Sequence, residues 1–368
     1  MKTTLTHKIK LSPDNAQANF LARSCGTSRF GYNLGLETWE KMHKEGDKPS
    51  MFKVKKEVNA IKKAFGWVYD VSKCCIEEAI RDLGKAYSNF FRNPKHFGKP
   101  NFKKKGVKDS FRLNNQNFKC LGDSHIRIAK LKKPIRLREP LRFNGKIISC
   151  TLSKKAGKWF ASINVEVDWN IPTSIDQEPR FVGVDLGIKS LAVCSNGMVF
   201  DGLTPHKQAL KKLRKLNKGL SRKVKGSKNF EKAKLRLAKL HAKIANIRSD
   251  YLHKVTTYLA KNFSVITIED LNVSGMSKNP KLARSILEGG FGLFKTMLEY
   301  KTKLYGPTLV VADRFFPSTK TCSSCGQIHD MPLHKRRMKC DCGNEIDSDL
   351  NAAINLERYG IKAVGSPA

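Results

Sequence analysis

The segment that decides the fold is Phe181-Val-Gly-Val-Asp-Leu-Gly187, in which an acidic residue interrupts an apolar run. The run predicts a buried strand that ends in a turn. Ser264-Val-Ile-Thr-Ile-Glu269 is a second run of the same kind and also ends in an acid. Because an unpaired charge is costly to bury, Asp185 and Glu269 are either solvated strand ends or members of a functional site.

The elements around these two runs follow a recognisable order. After the first strand come a hairpin at Asn196-Gly197, a long basic helical region broken near 219–229, the second run, a helix over 287–305, a strand over 308–313 and a helix over 349–359. Three strands, a helix, a strand, a helix, a strand and a final helix is the order of the RNase H fold. In that topology the first and fourth strands are neighbours, so Asp185 and Glu269 should lie side by side.

A third acid, Asp349, starts the final helix and can reach the same edge of the sheet. Three converging carboxylates repel one another unless cations neutralise them, and hard oxygen ligands favour Mg²⁺ or Mn²⁺. Two such ions can activate a water and stabilise the leaving oxygen of a phosphodiester, which predicts a metal-dependent nuclease. Simpler roles stay open, because Glu269 or Asp270 can end a strand and Asp347 or Asp349 can cap a helix.

Four of the ten cysteines form two close pairs separated by fourteen residues: Cys322, Cys325, Cys340 and Cys342. Two thiol pairs on two turns are typical of a tetrahedral Zn²⁺ site, and four thiolates leave no open position for catalysis, so we predict structural zinc. The second pair is C-x-C rather than the commoner C-x-x-C. His329 and His334 lie between the pairs and are expected at the surface or in contact with nucleic acid. The other six cysteines are expected to be small buried thiols.

The charge balance indicates a polyanionic partner, because 70 Lys and Arg stand against 32 Asp and Glu for a formal net charge of +38. Counterion release favours nucleic acid, and an anionic membrane surface is the rival partner. No run approaches the roughly 18 apolar residues of a membrane span, and the N-terminus lacks the apolar stretch of a signal peptide. We therefore expect a soluble, cytoplasmic protein.

Two segments concentrate the positive charge. Residues 207–248 carry sixteen Lys or Arg and one acid on helices with an apolar face, which favours phosphate binding over a merely solvated face. Residues 97–111 interleave lysines with Phe97, Phe102 and Phe111, which suits backbone contact with base stacking, although the phenylalanines can equally be core anchors. The predicted nucleic-acid-binding residues are Lys103, Lys104, Lys105, Lys211, Lys212, Arg214, Lys215, Arg222 and Lys223.

The first half of the chain changes from a strand pattern to a helix pattern and back. Residues 2–10 alternate as a strand, residues 14–93 are mostly helical, and short strands follow a Gly/Pro/Lys-rich loop. An early strand with a later block of strands predicts a β-barrel or sheet interrupted by a helical insertion. Residues 169–180 are predicted to link this half to the second.

These motifs together resemble the TnpB (OrfB) proteins of bacterial and archaeal insertion sequences, relatives of the type V CRISPR effectors. The resemblance is carried by Gly183-Val-Asp-Leu-Gly-Ile-Lys189, Ile268-Glu-Asp-Leu-Asn272, Pro317-Ser-Thr-Lys-Thr-Cys-Ser-Ser-Cys-Gly326, Cys342-Gly343 and Asp347-Ser-Asp-Leu-Asn-Ala-Ala-Ile-Asn355. Gly98-Lys-Pro-Asn-Phe-Lys-Lys-Lys-Gly106 and Asp109-Ser-Phe-Arg112 extend it into the first half. The resemblance therefore spans nearly the whole chain.

The resemblance implies a multi-domain α/β (α+β) fold and a programmable endonuclease. Such a protein binds a guide RNA made from the end of its own element and cuts double-stranded DNA beside a short flanking motif. The implied catalytic and magnesium-binding triad is Asp185, Glu269 and Asp349, the last because it immediately precedes the x-Asn-Ala-Ala pattern. The implied domains are a barrel (1–13 and 96–170), a helical recognition insertion (14–95), a RuvC-like core (181–316), an inserted zinc ribbon that binds target nucleic acid (317–346), and the last core helix with the tail (347–368).

Two other functions stay open at this stage. Some relatives have lost the triad and act as RNA-guided repressors, so a DNA-binding regulator that does not cut is one alternative, although all three acids are present here. A transposase that joins strands with the same metal chemistry is the other, although no sequence feature requires strand transfer. Metal-dependent cutting without joined products would separate these functions.

Overall fold

The computed structural model describes residues 2–171, 178–332 and 335–365, and the chain divides into two compact units, Met1–Trp169 and Asn170–Ala368. Part of the predicted linker, residues 172–177, lies outside the described residues, as does His334. The domain boundaries implied within each unit remain predictions. No helix in the described ranges is both long enough and apolar enough to cross a membrane.

The first unit combines three helices with seven strands among its described residues. Their bounds are β1 (Lys2–Ser12), α1 (Asn15–Lys44), α2 (Met51–Ile61), α3 (Cys74–Arg92), β2 (Ser110–Asn114), β3 (Phe118–Leu121), β4 (His125–Ile128), β5 (Ile135–Leu137), β6 (Lys146–Lys155) and β7 (Lys158–Asp168). The predicted early strand, helical stretch and later strand block are confirmed. The first helix begins where Asp14 and Gln17 form a capping box, with backbone-to-side-chain hydrogen bonds of 2.8 and 2.9 Å.

The strands of the first unit form one sheet in the order β2-β6-β7-β1-β5-β4-β3. The early strand β1 lies at its middle, antiparallel to both β7 and β5, so the three helices are an insertion between strands of one sheet. The sheet is nearly closed into a barrel around buried residues such as Ile9, Ile126 and Ile163. This agrees with the predicted barrel interrupted by helices.

The second unit is a mixed α/β structure. Its bounds are β8 (Phe181–Asp185), β9 (Ser190–Cys194), β10 (Val199–Asp201), α4 (Pro205–Ser221), α5 (Lys228–Asn262), β11 (Val265–Glu269), α6 (Val273–Met276), α7 (Ala283–Gly289), α8 (Phe291–Tyr305), β12 (Thr308–Ala312), β13 (Arg337–Lys339), β14 (Glu345–Asp347) and α9 (Ser348–Val364). The single helix expected over 287–305 is wrong, because Gly290 adopts a left-handed conformation (φ 69°) and separates α7 from α8.

The second sheet has the order β10-β9-β8-β11-β12, with β8 and β11 adjacent and parallel. The prediction that the first and fourth strands are neighbours is therefore confirmed. Val182, Val184, Ile266 and Ile268 are buried in one core with the apolar side chains of α5 and α8. That core covers one face of the two central strands, and alternate residues of β8 and β11 point to the opposite face.

Candidate active site and metal cluster

Asp185 and Glu269 end the two central parallel strands at the same edge of the sheet. The register pairs Val184 with Ile268, so the two acids occupy the next position on each strand. Since side chains alternate along a strand, Asp185 shares a face with Gly183, away from the core that holds Val184. Both acids are half-buried.

The helix α9 packs directly on this face. A Cβ at Gly183 would lie 1.9 Å from the carbonyl oxygen of Ala353 on α9, and a Cβ at Gly360 would lie 2.0 Å from Oγ1 of Thr267 on β11. The backbones therefore touch without a side chain between them. Asp349 precedes Ala353 by one helical turn, which places it on the face and towards the edge that carry Asp185 and Glu269.

Substitution of Gly183 by Ala is expected to destabilise the second unit by about 3 kcal/mol, because the added methyl group overlaps the α9 backbone, which cannot rotate away as a side chain can. The free energy of unfolding from chemical denaturation measures the effect. Gly292→Ala on α8 is the matched control, since a Cβ there meets no atom within 4 Å. Equal stability of the two variants would contradict the close packing of α9 on β8.

The electrostatics of this edge favour a bound cation. Burial raises the pKa of Asp185 well above its usual value, and the neighbouring charges of Glu269, Asp349 and Asp347 raise it further. One guanidinium nitrogen of Arg336 lies 3.9 Å from Oδ1 of Asp349. Within the described residues only the four cysteines bring their ligand atoms all within 4.8 Å of one another, so the three carboxylates share an edge at wider spacing.

The structure separates the two neighbouring acids that the sequence left as alternatives. Asp270 forms ion pairs with Lys295 (2.9 Å) and Arg314, and hydrogen bonds from both hold the pKa of Asp270 below its usual value. Glu269 instead accepts a hydrogen bond from the buried hydroxyl of Ser318. The charge of Asp270 is therefore satisfied by protein cations, whereas that of Glu269 faces the other acids.

Asp347 has a structural task of its own. Its Oδ1 accepts hydrogen bonds from the backbone N–H groups of Asp349 (2.9 Å) and Leu350 (3.2 Å), so it caps α9. Asp347 is exposed, whereas Asp349 is half-buried on the packed side of the helix. Of the two acids, Asp349 has the carboxylate that is not used as a cap.

The four cysteines converge as the sequence predicts. The Sγ atoms of Cys322 and Cys342 are 3.8 Å apart, those of Cys325 and Cys340 are 3.5 Å apart, and all four lie within 4.8 Å of one another. Ligands about 2.3 Å from a tetrahedral zinc ion stand about 3.8 Å from one another, so the donor set fits Zn²⁺. The glycine after each pair has positive φ, 81° at Gly326 and 86° at Gly343, which permits the two turns.

Groups around the cluster prepare it for a cation. Burial opposes ionisation of Cys322, but hydrogen bonds from the backbone of Cys325 and Ser324 and from the Asn344 amide outweigh it and lower the pKa of Cys322 to about 6. His329, expected at the surface, is half-buried with Nε2 3.1 Å from Sγ of Cys340. A histidine next to a thiolate ligand supports it as a hydrogen-bond donor.

Two buried asparagines of α9 connect the cysteine cluster to the acidic edge. Asn355 Nδ2 donates to the carbonyl oxygens of Ser318 (2.8 Å) and Thr321 (2.6 Å), and Asn351 accepts from the backbone N–H of Ser323 at 2.9 Å. This fixes the loop that brings Ser318 to Glu269. Sequence reasoning assigned these asparagines no role, although an apolar helix face interrupted by Asn-x-x-x-Asn signals buried hydrogen bonding.

The nine residues predicted to bind nucleic acid are all exposed, and none has a carboxylate partner among the described residues. Lys103 differs from the others because its ammonium lies 3.7 Å from the centre of the Tyr32 ring. Of the nearby phenylalanines, Phe111 is a core residue and Phe102 is 54% exposed. The core-anchor interpretation is thus confirmed for Phe111, and only Phe102 is free to stack.

Three family models match the chain. One described as "Probable transposase" (OrfB_IS605) matches residues 162–280, and one described as "Cas12f1-like, TNB domain" matches residues 291–356. One described as "Helix-turn-helix domain" matches residues 1–48. Over residues 2–48 the structure has the strand β1 and the single helix α1, so that description does not fit its secondary structure.

Relatives match over nearly the full chain. A Streptomyces pristinaespiralis protein named as an RNA-guided DNA endonuclease is 33% identical, covering 97% of this chain and 89% of its own. A protein of the same description from Escherichia coli K12, InsQ, is 34% identical, covering 98% and 93%. The fold matches that of Cas12f1, solved in complex with sgRNA and target DNA, with a TM-score of 0.62 at 15% identity over 97% of this chain and 99% of that chain. The chain belongs to the TnpB (OrfB) family of insertion-sequence-encoded RNA-guided endonucleases, relatives of the type V effectors.

Proposed function

We propose that this protein is an RNA-guided DNA endonuclease whose RuvC-like core hydrolyses phosphodiester bonds by a two-metal-ion mechanism. The observation that carries the proposal is the arrangement of Asp185, Glu269 and Asp349 on one face and edge of the sheet, where they raise the pKa of Asp185 together. Carboxylates so placed destabilise one another unless cations bind between them. The strand order and the covering helix α9 support the RNase H-type core.

The three acids would hold Mg²⁺ or Mn²⁺, which prefer carboxylate oxygens. Bound ions of this kind supply the activation of a water and the stabilisation of the leaving oxygen. The chain itself contributes orientation, because Ser318 fixes one oxygen of Glu269 and the Asp347 cap fixes the first turn of α9. Asp270 stays out of the constellation through its ion pairs with Lys295 and Arg314.

The partners proposed are a guide RNA derived from the end of the element and double-stranded target DNA. The net charge of +38 and the exposed, unpaired cations of α4 support a polyanionic partner. The names of the relatives and the complex of the structural neighbour point the same way. In such a complex base pairing reads the target sequence, and protein reads duplex shape and the flanking motif. We propose that residues 317–346 form a structural zinc ribbon.

Asp349→Ala is expected to abolish metal-dependent cutting, because it removes a proposed metal ligand. Asp347→Ala is the matched variant: it removes the α9 cap at a cost of about 1 kcal/mol of stability and should leave cutting within about threefold of the wild type. Rates of plasmid cleavage and free energies of unfolding measure the two effects. If Asp347→Ala abolishes cutting and Asp349→Ala does not, the third ligand has been assigned to the wrong acid.

The experiment that tests the function is co-expression of the protein with the DNA flanking its gene, followed by sequencing of the RNA that copurifies. The complex is then incubated with Mg²⁺ and a plasmid library that matches the RNA. A defined RNA and guided cutting without joined products support the proposal and identify the flanking motif. Bound RNA with guided DNA binding but no cutting would instead make the protein a regulator, and joined strands would make it a transposase.

A further inference from the structure

A cavity of about 490 Å³ lies beside the acidic edge of the second unit. Its wall includes the loop Gly187–Lys189, which follows directly after Asp185, and the segment Gly202–Thr204, which follows β10. Because β10 and β8 are both antiparallel to β9, both segments leave the sheet at the edge that carries the acids. The cavity therefore opens at the carboxylate edge of the sheet.

The cavity is lined by four cations that have no carboxylate partner among the described residues: Lys189, Lys207, Arg248 and Arg284. The acid in its described lining is Glu288, which is buried and accepts hydrogen bonds from the backbone N–H groups of His206 (2.7 Å) and Lys207 (3.1 Å). Glu288 thus holds the start of α4 in place, and three exposed ammonium or guanidinium groups remain uncompensated. Such a group of charges attracts a phosphate.

The remaining wall is apolar and includes Leu191, Leu203, Leu210 and Tyr251. A volume in this range suits one small ligand with an apolar part and a few charged contacts. A nucleotide in a duplex keeps its base stacked inside the helix and cannot place it against a protein wall, whereas an unpaired nucleotide can. The chemistry of the cavity matches a phosphate joined to an unstacked sugar and base.

We propose that this cavity is a subsite for one unpaired nucleotide of the strand delivered to the acids, with Lys207 and Arg284 as positioning residues for its phosphate. The inference rests on the proposed nuclease function and adds a binding site next to it. These residues hold the strand and take no part in bond breaking. Their loss should therefore weaken binding of a single strand and leave the chemical step intact.

The test uses the full chain with its copurified RNA and a short fluorescein-labelled oligothymidylate as probe. The double variant Lys207→Ala/Arg284→Ala is compared with Lys261→Ala/Lys303→Ala, which removes two exposed charges from the same unit at the ends of α5 and α8, where the chain enters the opposite edge of the sheet. Affinity is measured in an Asp185→Asn background, so that binding is read without cutting. KM and kcat for the same oligonucleotide are measured with Asp185 present.

We expect the cavity variant to bind the probe about tenfold more weakly than the control variant, the effect of one lost charge-assisted contact. The slope of log affinity against log salt should become shallower by about 0.7, the value for one phosphate contact on a single strand. KM should rise by a similar factor with kcat within about twofold, and Lys207→Arg/Arg284→Lys should restore both. Unfolding temperatures should not differ, since both side chains are exposed.

Equal affinities and salt slopes for the cavity and control variants would overturn the proposed subsite, even if the wild type cuts DNA. A proportional loss of kcat, or failure of the conservative double variant to rescue, would also overturn a positioning role. If the wild type does not cut but the cavity variant still loses affinity for the probe, the subsite stands and the nuclease proposal fails. The two proposals are therefore separable.

Discussion

Asp185→Asn is expected to abolish metal-dependent cutting, with a fall in rate on the order of 10⁴-fold, as when one member of a catalytic unit is removed. Asn keeps the shape of the side chain but removes the charge that a divalent cation requires. Guide RNA and target DNA should still bind, because binding depends on the exposed cations. Cleavage of a matching plasmid and gel-shift affinity measure the two properties separately.

The same substitution should change stability in the opposite direction. Because the pKa of Asp185 is higher in the folded protein than in the unfolded chain, the folded state holds this proton more tightly. Without metal, the wild type therefore loses stability as pH rises from the unfolded pKa, about 3.9, through the raised folded value. Asp185→Asn lacks this loss and should be more stable than the wild type at neutral pH. Mn²⁺ should stabilise only the wild type.

The control for both measurements is Asp250→Asn, which removes a charge from an exposed acid on α5 whose partner is Lys254 at 2.8 Å. It should leave cutting and the response to Mn²⁺ unchanged. A wild type that is no less stable than Asp185→Asn in the absence of metal would show that the acids do not converge. Normal cutting by Asp185→Asn would remove Asp185 from the mechanism.

Cys322→Ser is expected to have the largest effect on folding of the proposed zinc ribbon. Structural zinc contributes an apparent 10–16 kcal/mol, roughly, in small zinc domains, and the loss of one thiolate removes much of it. Cys322 is fully buried, so the serine hydroxyl would also lie in an unsuitable environment. Zinc content should fall below one ion per chain, and residues 317–346 should become sensitive to protease. Cutting should fall as well, because Asn355 ties Thr321, next to Cys322, to the loop that carries Ser318 and thereby orients Glu269.

Cys120→Ser provides the matched control, since Cys120 is a half-buried thiol of the first unit outside the cluster. It should retain zinc, protease resistance and cutting. A Cys322→Ser protein that lacks zinc but keeps a protease-resistant ribbon and full activity would contradict a structural metal. Removal of zinc from the wild type with a chelator should reproduce the effects of Cys322→Ser.

The parts that the sequence predicts well are those with strong local signals. Acids at the ends of two apolar strands, paired thiols with glycines behind them, and the strand at 2–10 each mark a position that ordinary packing does not explain. The element order then brings Asp185 beside Glu269 without any distance information. For the same reason the four cysteines are found at their expected spacing, with all ligand atoms within 4.8 Å.

The parts that the sequence does not predict depend on partners far along the chain. Asp270 and Glu269 are adjacent in sequence, and only the positions of Lys295 and Arg314 show which acid is neutralised. The break at Gly290 interrupts a pattern that is apolar on both sides, so periodicity alone joins α7 to α8. His329 reaches Cys340 because the strands β13 and β14 fold back, and no spacing rule reports that contact.

The direct contact of α9 with β8 has a consequence for the protein during synthesis. The ribosome releases β8 early and α9 late, and domains fold as their segments emerge. Until α9 docks, Gly183 has no helix over it and Asp349 is absent from the edge. A nascent chain can therefore fold its first unit, and begin to hold RNA, well before its acids are assembled. A transcript cut short before Asp349 would yield a product without this nuclease centre.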